Sequence, residues 1–402
     1  MTWTQRLQGA LTQRRSDNLW RQRQTIQGSQ SALLHINGEQ LINFCSNDYL
    51  GLASEAGAEL QRAAQRWGLG SGASHLVCGH SQAHHALERA LALHTGYPRA
   101  LLFSTGYMAN LGCIQALAGR GDHIFQDKLN HASLIDGALL SRANVHRYPH
   151  LDYQHLERNL QKHQQDGLSL VVSDSIFSMD GDIAGVDQLA TLCSQNNALL
   201  MIDDAHGLGI LGGDCGAGAR AEFNLSPSQL PVYVGTLGKA LGGFGAFVAG
   251  DDDVIDYLIQ FARPYIYTTA IPPAVAEAMQ ANLIRLRQNT RRQILNTHIQ
   301  YFRTRASLMG LPLMSSTSPI QPLLIGDEAL ALSISQGLRQ RGLLVTAIRP
   351  PTVPAGTSRL RITLTAGHTQ TQIDHLIAAL DELITPDSGL RKPGSAPSGT
   401  SA

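Results

Sequence analysis

The chain has 402 residues, 43% of them hydrophobic and 15% charged, enough for one large core and a second, smaller one. Lys plus Arg and Asp plus Glu both total 31, so no global field draws the chain to nucleic acid or an anionic membrane, and an anion must be held by local donors. Five cysteines (Cys45, Cys78, Cys113, Cys193, Cys215), odd in number and without CxxC spacing, exclude a paired disulfide framework or a zinc ribbon; with no run near the ~18 apolar residues of a membrane helix, they suit a cytoplasmic protein.

Residues 1–45 are expected to form an amino-terminal helix and strand segment. The lead-in MTWTQRLQGALTQRRSDNLWRQRQ is too polar for a secretory signal and reads as an amphipathic surface helix. SALLHING and QLINFCS follow as a strand pair turned at Asn37-Gly38. Over 46–285, expected to be the large domain, short apolar runs alternate with helix-like segments. Strands are predicted at 100–103, 123–126, 169–173, 198–203, 232–236 and 246–249. Near-continuous apolar strands with helices between them indicate an α/β fold whose central sheet is mainly parallel and covered on both faces, with its ligand at the strands' carboxyl ends. Residues 286–385 are expected as a smaller α/β domain: a helical stretch from 274 to about 309 leads into strand 320–325, helix 328–341, strands 343–348 and 359–364, and helix 369–384. The tail, 386–402, is rich in Pro, Gly and Ser with hardly an apolar residue and is expected to be disordered.

The residues that carry chemistry stand at predicted strand ends. LLMIDDAHGLG runs an apolar strand into Asp203, Asp204 and His206, and VYVGTLGKALGGFG ends another with Thr236 and Lys239 in a glycine-rich turn. A lone loop lysine is ordinarily a solvated one. Glycine neighbours, however, let a planar cofactor approach Lys239, and a desolvated amine loses its charge more easily, as a Schiff-base lysine requires. A carboxylate closing a buried strand needs a partner, and Asp203 suits a protonated pyridine nitrogen, with His206 beside the ring hydroxyl. In FSTGYMANLG, Gly106 and Tyr107 open a helix whose free amides favour a phosphate. His131 in LNHASLID could stack on the ring, and Ser178 in SDSIFSMDGD lies beside it; taken alone, either is ordinary hydrogen-bonding structure.

Other patterns fail on their context. GLGILG (207–212) is not followed by a helix or by an acid ~20 residues on, as a dinucleotide site requires. GTLGKA lacks the first glycine and the final Ser or Thr of a phosphate-binding lysine loop. His80 and His84, four apart on a predicted helix, show no third metal ligand and read as helix surface. Ser71 and Ser74 lack the GxSxG pattern of a hydrolase elbow.

Taken together, SNDYLGL (46–52), GSGASHLVCGH (70–80), TGYMANLG (105–112), HASLIDG (131–137), FSMDGDIA (177–184), DDAHGLG (203–209), GTLGKALGG (235–243), YTTAIPP (267–273) and RPPTVPAGTSRLRITLTA (349–366) resemble the α-oxoamine synthase family. The resemblance covers nearly everything before the tail. It implies a PLP-dependent transferase of fold type I, a homodimer with shared active sites, and decarboxylative joining of an amino acid to an acyl thioester. Residue by residue, it makes Lys239, His131 and Asp203 catalytic. Gly106, Tyr107, His131, Ser178, Asp203, His206, Thr236 and Lys239 match cofactor positions, and Thr269 a position reaching the neighbouring subunit's phosphate. Arg21, Asn47, His131, Thr352 and Arg361 match substrate positions. Asp174 stands where relatives often carry glutamate, and Tyr107 where they often carry phenylalanine, so there the backbone rather than the ring should matter.

The last motif and the lead-in are closest to members that join L-alanine to a pimeloyl thioester, on coenzyme A or an acyl-carrier protein, in biotin biosynthesis. The alternative is a sister enzyme using glycine and another acyl-CoA. A binding protein without catalysis is disfavoured by the joint presence of Lys239, Asp203, His206, His131 and Arg361. Strand alternation puts Arg359 and Arg361 on one face, so pattern leaves both as carboxylate clamps. The resemblance selects Arg361.

Overall fold

The computed structural model describes residues 1–17 and 19–384; the tail expected to be disordered lies outside the described residues. Three short strands come first: β1 (Ile26–Gln27), β2 (Leu33–Ile36) and β3 (Glu39–Asn43). Seven follow: β4 (Arg99–Phe103), β5 (His123–Asp127), β6 (Asn144–Tyr148), β7 (Ser169–Asp174), β8 (Ala198–Asp203), β9 (Val232–Thr236) and β10 (Ala246–Gly250). The last four are β11 (Ile320–Gly326), β12 (Leu343–Leu344), β13 (Thr346–Ile348) and β14 (Ser358–Thr363).

The seven middle strands form one sheet in the order β4-β10-β9-β8-β7-β5-β6. Strands β6, β5, β7, β8 and β9 run parallel, and β10 is antiparallel to both its neighbours. Only the turn 237–245 separates β9 from β10, and a parallel return needs a crossover of a dozen residues or more. Alternation sorts the sheet's side chains into two cores: Leu170, Val172, Met201, Val232 and Val234 pack on one face, Val171, Leu200, Ile202 and Tyr233 on the other. Burial on both faces is why these strands read as continuous apolar runs.

Four expectations change. Strand β6 (NVHRY) was not anticipated, because as an edge strand it keeps polar residues on a partly exposed surface. The single strand expected at 343–348 divides: β12 pairs in parallel with β3, while β13 joins β11 and β14 in another sheet, with buried Val345 at the switch. The β2–β3 hairpin, turned through Asn37 and Gly38 at positive φ, is thereby tied to the carboxyl-terminal part of the chain. The long helix splits into Pro273–Arg287 and Asn289–Leu308 at extended Gln288, where buried Arg292 donates to the Gly209, Leu286 and Asp214 carbonyls and fixes the bend. The lead-in helix, Trp3–Ser16, carries a Thr2–Gln5 capping box and buries none of its residues, so its expected amphipathic face meets nothing in this chain. Among the described residues no helix is long and apolar enough to cross a membrane.

Candidate active site

Parallel pairing brings the ends of β7 and β8 into register, Asp174 beside Asp203. Both carboxylates are buried. Asp203 accepts from Asn110 Nδ2 at 2.5 Å and from the Ala205 amide at 2.9 Å, and among the described residues it forms no ion pair. Asp204, the next residue, is taken up by Ser175, Tyr233 Oη (2.7 Å) and the Ala219 amide (2.8 Å). Three donors leave it a structural role. Asp174 accepts the His131 amide at 2.7 Å; burial and then the charge of Asp203 push its pKa well above the usual carboxylate range.

A hydrogen-bond chain runs from Asp203 to His131. Asn110 Nδ2 donates to Asp203 and to Ser133 Oγ (2.8 Å), and the Ser133 hydroxyl donates to His131 Nδ1 (2.7 Å). With Nδ1 accepting, neutral His131 carries its proton on Nε2. Packing around the ring pushes its pKa below the ordinary histidine value, which favours that form. His131 also caps the helix Ala132–Ser141, which sets the origin of the side chain.

Lys239 lies in the turn after β9, closed by the Gly242 amide on the Lys239 carbonyl (2.8 Å) and the Gly243 amide on the Leu237 carbonyl (2.7 Å). Gly242 has φ +68°, and a Cβ there would stand 2.3 Å from the Leu52 carbonyl carbon, so the turn packs against 52–53 only with glycine. Burial pushes the Lys239 amine down to about 8, against the pull of Asp203 and Asp174. Thr236 Oγ accepts from the Gly238 amide and donates to the Gly245 carbonyl, which holds the same turn.

The helix Gly106–Leu117 opens with Thr105 as cap, its Oγ accepting from the Met108 amide. The amides of Gly106 and Tyr107 have no partner within the helix, and a Cβ built at Gly106 meets nothing within 4 Å. The Tyr107 hydroxyl turns away to Asp136, leaving its backbone to face the helix mouth.

On the substrate side, Arg361 donates from Nε to the Ser178 carbonyl (2.6 Å), from Nη1 to Thr363 Oγ (3.1 Å) and from Nη2 to Asn47 Oδ1 (3.1 Å). Among the described residues it has no carboxylate partner. Arg359 is neutralised by Asp180 at 2.5 Å. Strand pattern could not separate the two arginines; Asp180, from a distant loop, does. His206 Nδ1 lies 2.5 Å from the Tyr49 hydroxyl, itself 3.3 Å from Asn47 Oδ1, so His206, Tyr49, Asn47 and Arg361 form one network. Burial, with Lys239 and Arg361 nearby, holds His206 neutral.

Arg21, Thr269 and Thr352 are exposed, and their side chains make no hydrogen bond to these groups among the described residues. Sequence reasoning missed Asn110, Ser133 and Tyr49 as site residues. All three lie inside the quoted motifs, but their roles depend on partners 23 to 157 residues away. It also misplaced His84, which is buried: Nδ1 accepts from the Ser81 amide and Nε2 reaches the Ile271 carbonyl, while His80 precedes the helix Gln82–Thr95.

These residues fit pyridoxal phosphate. A buried carboxylate without an ion-pair partner suits a pyridinium proton, a recessed amine with a lowered pKa suits an aldehyde, and two free amides at an open helix start suit a phosphate.

The family model for class I and II aminotransferases matches residues 39–380. The chain is 55% identical over 386 residues to the 8-amino-7-oxononanoate synthase of Cellvibrio japonicus, covering 94% of this chain and 96% of that protein. Among solved structures it is similar to an SPT (serine palmitoyltransferase) with PLP, at 28% identity and TM-score 0.91 over 97% of this chain and 100% of that one. It is also similar to the 8-amino-7-oxononanoate synthase of Francisella tularensis, at 33% identity and TM-score 0.75 over 85% and 97%.

Proposed function

The chain belongs to the class I and II aminotransferase family and, within it, to the α-oxoamine synthases; on that premise we propose that it condenses L-alanine with a pimeloyl thioester, releasing 8-amino-7-oxononanoate, carbon dioxide and the free thiol carrier. The observation that carries the reading is that Lys239, Asp203 and His131 gather at the carboxyl end of the central sheet, where Arg361 of β14, without a carboxylate partner among the described residues, reaches the Ser178 carbonyl. The choice of alanine and pimelate follows the name shared by the relatives at 52–56% identity.

Pyridoxal 5'-phosphate is the cofactor, and when bound it supplies an electron sink that stabilises negative charge at the amino acid's Cα. Lys239 would hold the cofactor, and its amine, when free, would remove the Cα proton and later return one. Asp203, fixed by Asn110 and the Ala205 amide, would keep the ring nitrogen protonated, and His206 would meet the ring oxygen. Thr236, Ser178 and the amides of Gly106 and Tyr107 would hold the remaining cofactor contacts. Arg361 orients the alanine carboxylate, and Asn47 orients Arg361. His131, with its proton on Nε2, donates to the thioester carbonyl when the carbon–carbon bond forms.

In this reading Arg21 and Thr352 approach the acyl chain, and Thr269 reaches the phosphate of a second subunit. A homodimer suits the surface around Thr269, where Leu69, Leu76, Val77 and Tyr267 are exposed on segments joined by the Ala270 amide to the Ala73 carbonyl. The carrier is either coenzyme A or an acyl-carrier protein. Five unpaired cysteines suit the cytoplasmic location that goes with this chemistry.

Product analysis by mass spectrometry, with L-alanine or glycine against a panel of acyl thioesters, tests the reading. Alanine with pimeloyl thioester is expected to give the dominant product; a preference for glycine and a short acyl chain would place the chain with the sister enzymes. Arg361→Lys is expected to weaken L-alanine binding by ~1 to 3 kcal/mol, roughly 5- to 150-fold, because the paired fork is lost, with cofactor absorption unchanged. A titration of each variant with L-alanine, followed by absorbance, checks this. Wild-type affinity in Arg361→Lys with a large loss in Arg359→Lys would mean that the other arginine is the clamp.

A further inference from the structure

His123 opens β5 at the amino end of the central sheet, whereas the Lys239 site gathers at the carboxyl ends of β7 and β8. The parallel pairing of β5 with β6 sets Phe125 opposite His146, so His123 and His146 share one sheet face. The helix Tyr153–Lys162 covers that face through buried Leu156 and Leu160, which join the same core as Phe125, and its carboxyl cap is His163. Three imidazoles from three elements therefore meet. Their ring centroids are 5.1 Å (His123–His146), 4.6 Å (His123–His163) and 4.5 Å (His146–His163) apart. One ring nitrogen of each lies within 4.8 Å of the others.

We propose that His123, His146 and His163 bind a divalent cation of the zinc, cobalt or nickel class, pinning the helix Tyr153–Lys162 to the edge of the sheet. Imidazole is a preferred ligand of these borderline metals. His123 Nδ1 and His146 Nε2 stand 2.8 Å apart, and among the described residues the only other side-chain hydrogen bond these rings make is His163 Nδ1 to Asp166 Oδ2 at 3.4 Å. The other three ring nitrogens, His123 Nε2, His146 Nδ1 and His163 Nε2, have no hydrogen-bond partner among the described residues, and a cation would replace the His123–His146 bond. Asp166 is placed to orient His163 or to complete the donor set. Metal–nitrogen bonds of about 2.0–2.1 Å in a tetrahedron put the nitrogens roughly 3.4 Å apart, so the 2.8 Å pair need open only by about half an ångström. The other close histidine group, His75, His80 and His84, is a poorer site because both nitrogens of His84 are already engaged by the backbone.

The test uses full-length holoenzyme stripped by chelator and titrated with Co²⁺ by visible absorption and with Zn²⁺ by calorimetry. One equivalent per chain is expected. His146→Gln and His163→Gln should each weaken it at least about 10- to 100-fold, with the fold checked by circular dichroism. His85→Gln, an exposed residue near the other histidine group, should leave it unchanged. Excess Zn²⁺ should raise the melting temperature of the wild type and of His85→Gln but not of the two site variants. Equal binding by wild type and the site variants, no stoichiometric binding at all, or a loss confined to His85→Gln would each overturn the proposal.

Discussion

Lys239→Ala is expected to lower turnover by about 10⁴-fold or more and to abolish the visible absorption of the lysine-bound cofactor. The sequence holds four lysines: Lys128, Lys162, Lys239 and Lys392. Lys128 and Lys162 are exposed, the first beyond β5 and the second at the end of the helix Tyr153–Lys162, and Lys392 lies outside the described residues. Of the lysines among the described residues, only Lys239 is recessed beside Asp203 and Asp174, and burial holds its amine at about 8, so a useful neutral fraction exists near physiological pH. A variant that keeps the wild-type spectrum would remove Lys239 from its role. The variant should still fold, because the turn is fixed by backbone contacts of Leu237, Gly242 and Gly243 rather than by the lysine side chain.

Asp203→Asn is expected to bind cofactor yet lose about 10²- to 10³-fold in turnover, the scale on which a single preorganised electrostatic partner acts. A neutral amide cannot keep the ring nitrogen protonated. The carboxylate also accepts from two donors, Asn110 Nδ2 and the Ala205 amide, so an asparagine would turn an NH₂ toward one of them. Exchange of the alanine Cα proton in deuterated water isolates this step from the thioester half of the reaction. Exchange at the wild-type rate would show that Asp203 serves the fold and not the electron sink. Asp174 is not expected to substitute, since burial alone, the largest cause of its raised pKa, persists after the neighbouring charge is removed.

Locally encoded features were legible in the sequence. The Asn37-Gly38 turn needs positive φ at both residues, the buried strands need continuous apolar runs, and the Lys239 turn needs glycine at 242; each is a demand on neighbouring residues. So the α/β class, most of the central strands and the residues at their ends were visible before any geometry. The edge strand β6 was not, because one exposed face erases the apolar run. Nor was the division of 343–348 between two sheets, because a change of partner leaves no local pattern.

By itself the sequence determined the strand–helix alternation, the family through its ordered motifs, and the residues able to do the chemistry, all of which are fixed by short-range constraints and residue type. Only the tertiary structure showed why these choices hold: Ser175, Tyr233 and the Ala219 amide take up Asp204 and Asp180 neutralises Arg359, whereas among the described residues Asp203 forms no ion pair and Arg361 has no carboxylate partner. It alone ran the hydrogen-bond chain through Asn110 and Ser133 to His131 and gathered His123, His146 and His163 at the far end of the sheet. The physical reason is common to all of these. A side chain's charge and proton placement depend on which groups folding brings within hydrogen-bond distance, and for Arg359 and Asp180 that partner lies 179 residues away in the chain.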